Sequence, residues 1–203
     1  MPSETFLNLS RQKKANVTEA IQRVILRKPL AKISVSDLVK EAAIPRGSFY
    51  QYFEDLTDAY KYVVDYSFEQ FETEILSRVQ NKSVQFFEYL LTAFDDDMKF
   101  FKEAPHHNVV MRIFDQGQNN IDYEDYAKRN HTFYHGFIKH LDRSELNTMS
   151  ERRQMRLFFT LSQLKMQFIR HVIAGRLAYE DARNEYQWLI QTFRRGLNQG
   201  DLQ

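Results

Sequence analysis

Cysteine is absent from the 203 residues, which excludes disulfides and thiolate metal sites and fits a cytoplasmic setting. Glycine and proline are scarce, at six and four residues, so long helices joined by few loops are expected. No apolar run approaches the ~20 residues needed to cross a bilayer, and no membrane partner is expected. The opening from Met1 to Phe6 lacks the basic region and apolar stretch of a signal peptide. No phosphate loop, dinucleotide fingerprint or nucleophile elbow occurs, so neither an enzyme nor a cofactor is expected. Among the six histidines, His131 and His135 lie four apart. No Glu follows His131 as the zinc-hydrolase pattern requires, and no metal is expected. Asp95, Asp96 and Asp97 lack the alternating ligands and turn glycine of a calcium loop.

Net charge is nearly nil as well, +1 for the whole chain, but it is unevenly spread. Residues 1–46 carry nine basic and four acidic side chains, hence +5, and leave −4 for the rest. A basic N-terminal module on an acidic body suits attraction to phosphate in one place.

Within and just after that module, residues 33–53 read as two short helices joined by a tight turn. Ser34 is placed to cap the first, and Asp37 suits its positive end. Val35, Leu38, Val39 and Ala42 fall at helical spacing and give it one apolar face. Ala43 and Ile44 form the break, and Pro45 suits a helix start, where a missing N–H does no harm. The second helix runs from Arg46 to Tyr52 and presents a short, largely polar rod. A rod of that size fits the major groove of DNA, with its first turn at the base edges.

Val17, Ala20, Ile21, Val24 and Ile25, then Ile33 to Val35, Asp37 to Val39, Ala42 to Pro45 and Gly47 to Phe53, keep one order and spacing. In that run the chain resembles the helix-turn-helix of TetR-family transcriptional regulators, over roughly its first quarter. It departs at three places: Pro29 replaces the glycine after the first helix, Ala43 the glycine of the turn, and Leu56 the lysine that often opens the fourth helix. The resemblance implies an all-α fold of about nine helices. An N-terminal three-helix helix-turn-helix domain would occupy residues 1–55, and a helical effector-binding and dimerisation domain residues 56–203. It implies no catalysis, a double-stranded operator as partner, and a second copy of the chain. Phosphate contacts are expected from Lys13, Lys14, Ser34, Tyr50 and Tyr52, and base-edge contacts from Arg46, Gln51 and Ser48. Val35, Pro45 and Gly47 complete the expected DNA-facing surface. A repressor released from a palindrome by a small apolar or aromatic effector is the leading function. The alternative is a helical ligand-binding or protein-interaction module without operator binding.

The rest of the chain reads as helices over 5–28, 56–79, 83–102, 106–116, 123–141, 150–174 and 179–198. Aromatic residues crowd 86–138. They serve either as ordinary core rings or as an effector pocket, for which Phe87, Phe101, His106, Phe114 and Tyr134 are the candidates. The helix over 150–174 is apolar on two sides and so needs two partners. Phe158, Leu161, Phe168, Trp188 and Leu189 are the residues expected at a dimer interface, since an off-stripe Trp188 suits a contact between subunits.

Overall fold

The computed structural model describes residues 2–80, 82–103, 108–109, 111–112 and 123–198. Nine α-helices occur among them: α1 Glu4–Leu7, α2 Arg11–Arg27, α3 Val35–Ala42, α4 Arg46–Tyr52, α5 Leu56–Val79, α6 Phe86–Glu103, α7 Tyr123–Phe137, α8 Glu151–Ile173 and α9 Tyr179–Asn198. The fold is all-α, with one minor addition. Val84–Gln85 and Leu141–Asp142 pair as two parallel two-residue strands, β1 and β2. This pairing displaces two expected boundaries. The sixth helix starts at Phe86 rather than 83, and α7 stops at Phe137, because Leu141 is drawn onto Val84 instead of extending the helix. The helix expected over 106–116 lies largely outside the described residues.

The first expected helix is also two. Ser10 accepts a hydrogen bond from the Lys13 N–H and so caps α2 at Arg11, separating off the one-turn α1. At the other end Lys28 turns extended before Pro29 and closes α2. Asp55 accepts from the Asp58 N–H at 2.8 Å and caps α5.

The chain divides into two compact units, Met1–Thr73 with Glu103–Tyr123, and Glu74–Lys102 with Glu124–Gln203. That division falls inside α5. Most of α5 is core material for the first unit: Ala59, Val63, Val64 and Phe68 are buried. There the Gln22 amide also donates to Ser67 at 3.3 Å, and Thr18 meets the Tyr62 hydroxyl at 3.2 Å. The rest of that core comes from Val17, Ala20, Ile21, Val24 and Ile25 of α2, with Leu38 of α3 and Phe49 of α4.

In the second unit Phe158 of α8 is the hub. Its ring lies 5.7 Å from Phe86, 6.0 Å from Tyr89, 5.6 Å from Tyr134 and 5.7 Å from Phe137. Much of the aromatic excess of 86–138 is therefore core. The buried face of α8 is Gln154, Met155, Phe158, Leu161, Ser162, Lys165 and Ile169, a stripe that admits a lysine. On α9 the buried residues are Ala182, Tyr186 and Ile190, while Phe193 is exposed.

At the C-terminus of α3, Ala43 adopts φ 49° and ψ 45°, a left-handed conformation found at no other non-glycine among the described residues. Its Cβ crowds the following carbonyl there, at a cost of about 1–2 kcal/mol. Ala43→Gly removes the crowding, and the freer unfolded chain takes back about 0.4–1 kcal/mol. A net gain of about 0.5–1 kcal/mol is expected in urea denaturation; a loss would show that the alanine is unstrained.

Candidate nucleic-acid interface

The two short helices are fixed by local chemistry and by what lies beneath them. Ser34 and Asp37 form a capping box. The Ser34 hydroxyl accepts from the Asp37 N–H at 3.3 Å, and Asp37 accepts from the Ser34 N–H at 2.9 Å. Arg23 and Arg27 both donate to Glu41, and Lys28 pairs with Asp37, tying the end of α2 to α3. Beneath α4, Phe49 and Phe53 stack in an aromatic cluster with Phe6 and Tyr62. The fully buried Phe6 belongs to α1, which also closes the end of α4. The Ser3 N–H donates to the Tyr52 carbonyl at 2.9 Å, and the Ser3 hydroxyl donates to the Gln51 carbonyl. Two carbonyls that a helix end leaves orphaned are thus satisfied. Sequence reasoning missed this brace; its signal was Ser3, a helix cap three residues before the apolar Phe6.

On the outer side, Pro45, Arg46, Gly47, Tyr50 and Gln51 are exposed and Ser48 is half-buried. Open space surrounds the Gly47 Cα, so the rod is unobstructed at its first turn. Arg46 is held in place before any ligand arrives. It donates to Ser36 Oγ at 3.2 Å and to the Tyr50 hydroxyl at 3.1 Å, and its guanidinium lies 5.6 Å from the Tyr50 ring centroid. That arrangement joins α3 and α4 and limits the freedom of the guanidinium. Val35 is half-buried at the start of α3.

The expected phosphate contacts divide. Lys13 is exposed at the start of α2, among the cations with no ion pair to a described residue. Lys14 donates to the Leu7 carbonyl at 2.6 Å and so holds α1 to α2. The Ser34 hydroxyl is engaged in the capping box. Tyr52 is a correction: it is 3% exposed and packs 5.6 Å from Phe6, leaving its ring in the core rather than at a phosphate. Of the nine cations, Lys14, Arg23, Arg27 and Lys28 serve structure, while Arg11, Lys13, Lys32, Lys40 and Arg46 stand exposed.

The paired carboxylates give this region an acid sensitivity. Asp37 is lowered from 3.8 to about 2, first by its hydrogen bond with Lys28 and then by those with Ser34. Glu41 is lowered as well, by Arg23 and then Arg27. A carboxylate whose folded value lies below its unfolded one contributes stability that is present above the unfolded value. That stability is lost as the pH falls through the folded one. The first unit is therefore expected to weaken between about pH 4 and about pH 2. Circular dichroism of Asp37→Asn should show a shallower acid slope; an unchanged slope would mean that the Lys28 pair contributes nothing.

The remaining expected residues fall in the second unit or outside the described residues. Phe87, Phe101 and Tyr134 are buried in the aromatic core, and His106 and Phe114 lie outside the described residues. Phe158 and Leu161 are corrected: they are 0% and 1% exposed within their own unit and have no surface to offer a second subunit. Phe168 and Leu189 are half-buried, and Trp188 is 58% exposed. With Phe193 and Ile173, Trp188 leaves α8 and α9 carrying exposed large apolar side chains. His131 and His135 stack 6.4 Å apart in a groove of about 570 Å³ between α7 and α8, beside Arg152 and Arg156. Among the described residues no three His, Asp or Glu side chains gather as a metal site would require.

No protein-family model and no curated protein sequence matches the chain. Solved structures do. A TetR family transcriptional regulator from Chloroflexus aurantiacus is 18% identical, with a TM-score of 0.60 over 98% of each chain. A TetR-like regulator from Rhodococcus sp. RHA1 is 15% identical and reaches 0.64 over 94% of this chain and 99% of its own. The transcriptional regulator FadR from Bacillus subtilis, solved with stearoyl-CoA, is 14% identical and reaches 0.65 over 87% of this chain and 96% of its own. With its helix-turn-helix at α3 and α4 and its all-α body, this chain has the fold of the TetR-family transcriptional regulators.

Proposed function

We propose that the protein is a TetR-type DNA-binding transcriptional regulator, acting in the cytoplasm as a homodimeric repressor. Residues 1–55 read the operator, and residues 56–203 form the dimer and sense a small ligand. The observation that carries the reading is the exposed polar face of α4, where Arg46 is held by Ser36 and Tyr50 at the first turn. A helix presented in this way meets base edges, while the exposed Lys13 meets the backbone. Two copies are needed to read a palindrome, with reading helices about 34 Å apart or a multiple of that. The exposed Trp188 and Phe193 supply apolar surface for such a pairing. FadR, solved with stearoyl-CoA, supports an effector with an apolar body for this chain too.

The test is selection of bound fragments from a random DNA pool by the purified protein, followed by titration of the winner at rising salt. A palindromic winner and a steep loss of affinity with salt are expected. Enrichment of no sequence would overturn the reading. In sedimentation velocity, Trp188→Glu is expected to shift the dimer towards monomer; an unchanged dimer would place the interface elsewhere.

A further inference from the structure

Three ionisable side chains lie inside the second unit, where such groups are rarely buried unless paired. Asp97 of α6 is 0% exposed and Lys165 of α8 is 1% exposed. They pair at 2.6 Å, and Arg78 of α5 reaches the other Asp97 oxygen at 2.5 Å. Two cations thus face one buried carboxylate. A second carboxylate, Glu74, meets Arg78 Nε at 3.3 Å, but its side chain is 44% exposed, where water weakens its hold. Counting only the buried groups among the described residues, with Glu74 left to the solvent side, the cluster carries one positive charge in excess.

Hydrogen-bond donors are also in excess. Arg78 Nη2, the Tyr89 and Tyr186 hydroxyls and Ser162 Oγ are all buried and have no hydrogen-bond partner among the described residues; the one acceptor of the cluster in the same state, Asp97 Oδ2, faces Lys165 as an ion pair at 2.6 Å. Tyr89 and Tyr186 are 3% and 0% exposed. Ser162 lies one turn before Lys165 on the buried face of α8. The Lys165 ammonium stands 6.0 Å from the Tyr89 ring, and both phenols feel the Asp97 charge. Burial raises both phenols well above 10.0, so at neutral pH they remain donors. Each orphaned buried donor is a cost to the folded chain. Four of them stand beside two cations that share one buried carboxylate, with only the half-exposed Glu74 as a second anion.

We infer that the cluster of Arg78, Lys165, Asp97, Tyr89, Tyr186 and Ser162 is the head-group site for an amphipathic monocarboxylic acid. One net positive charge matches a monoanion, whereas a doubly charged phosphate would leave a buried negative excess. The planar fork of Arg78, with Nη1 on Asp97 and Nη2 unpartnered, suits a carboxylate oxygen. The rings of Phe94, 5.5 Å from Tyr186, and Phe137, 5.0 Å from Tyr89, suit an apolar body. The inference deepens the reading of the second unit as the sensing part and rests on it.

The test is binding to the full-length protein, by calorimetry and thermal shift, of a panel of acids: hexanoate through hexadecanoate, benzoate, phenylacetate and cinnamate. Each is paired with its primary amide. At least one acid is expected to bind and to exceed its amide by about tenfold or more, the usual effect of a charge-assisted hydrogen bond. Arg78→Gln is expected to abolish that preference. Tyr186→Phe and Tyr89→Phe separate a ligand site from a structural oddity, and they carry the test if Arg78→Gln fails to fold. Each removes an unpartnered hydroxyl, so the ligand-free melting point should hold or rise while affinity for the acid falls. Failure of every acid to bind, equal binding of acid and amide, or undiminished binding by both tyrosine variants would each overturn the site. None of these readouts involves DNA. A negative result here leaves the regulator reading standing, and a failed DNA selection leaves this site standing.

Discussion

Asp97→Ala is expected to lower stability by about 3–5 kcal/mol, the usual cost of leaving buried charge uncompensated. Asp97 is fully buried and is the carboxylate paired with Lys165. Its removal leaves the Lys165 ammonium, with a 2% exposed side chain, facing the Arg78 guanidinium without an anion between them. Urea denaturation should show a lower midpoint with an unchanged slope, since the surface exposed on unfolding stays the same. The comparison is the triple replacement Asp97→Leu, Lys165→Met, Arg78→Met, which removes the charges together. Desolvation of three ions roughly offsets their attraction, so this variant should lie within about 1–2 kcal/mol of the parent on either side. A loss below about 1 kcal/mol for Asp97→Ala would mean that water reaches the cluster and screens it.

Arg46→Ala is expected to cost about 1–3 kcal/mol on the selected operator, roughly a 10- to 100-fold loss of affinity. On random DNA the loss should be far smaller, because non-specific binding rests on phosphate contacts rather than base edges. The effect gains from preorganisation: Ser36 and Tyr50 already hold the guanidinium, so little freedom remains to be lost on binding. Lys13→Ala is the contrasting variant. It should weaken all sequences alike and flatten the salt dependence by about one ion. Equal losses on both DNAs for Arg46→Ala, measured by fluorescence anisotropy, would reduce Arg46 to a phosphate contact.

The two short helices α3 and α4 were legible because their determinants are local. A serine cap, an acidic third position, a helix-starting proline and apolar residues at helical spacing specify α3 and α4 from neighbours a few residues away, and both formed where expected. The left-handed turn at Ala43 was legible only through the resemblance, which places a glycine there; that backbone is what the position asks of any residue. What was missed depends on distant partners. Tyr52 looks like any polar-tipped residue on an exposed rod until Phe6, from a one-turn helix 46 residues earlier, covers it. Arg23, Arg27 and Lys28 read as free cations until Glu41 and Asp37 engage them.

The sequence by itself determined that the chain is helical, where α3 and α4 cap and stop, and which short rod faces outward with Arg46 at its head. Those features follow from backbone preferences and periodicity, which act over one or two turns. Only the tertiary structure decided which apolar stripe of α8 is core, that Phe158 and Leu161 are buried while Trp188 stays in solvent, and that Lys165, Asp97 and Arg78 meet in the interior. A lysine in a helical pattern reads as solvated, because exposure is its ordinary state. Its burial is set by a carboxylate 68 positions away, and only chain packing brings the two to 2.6 Å.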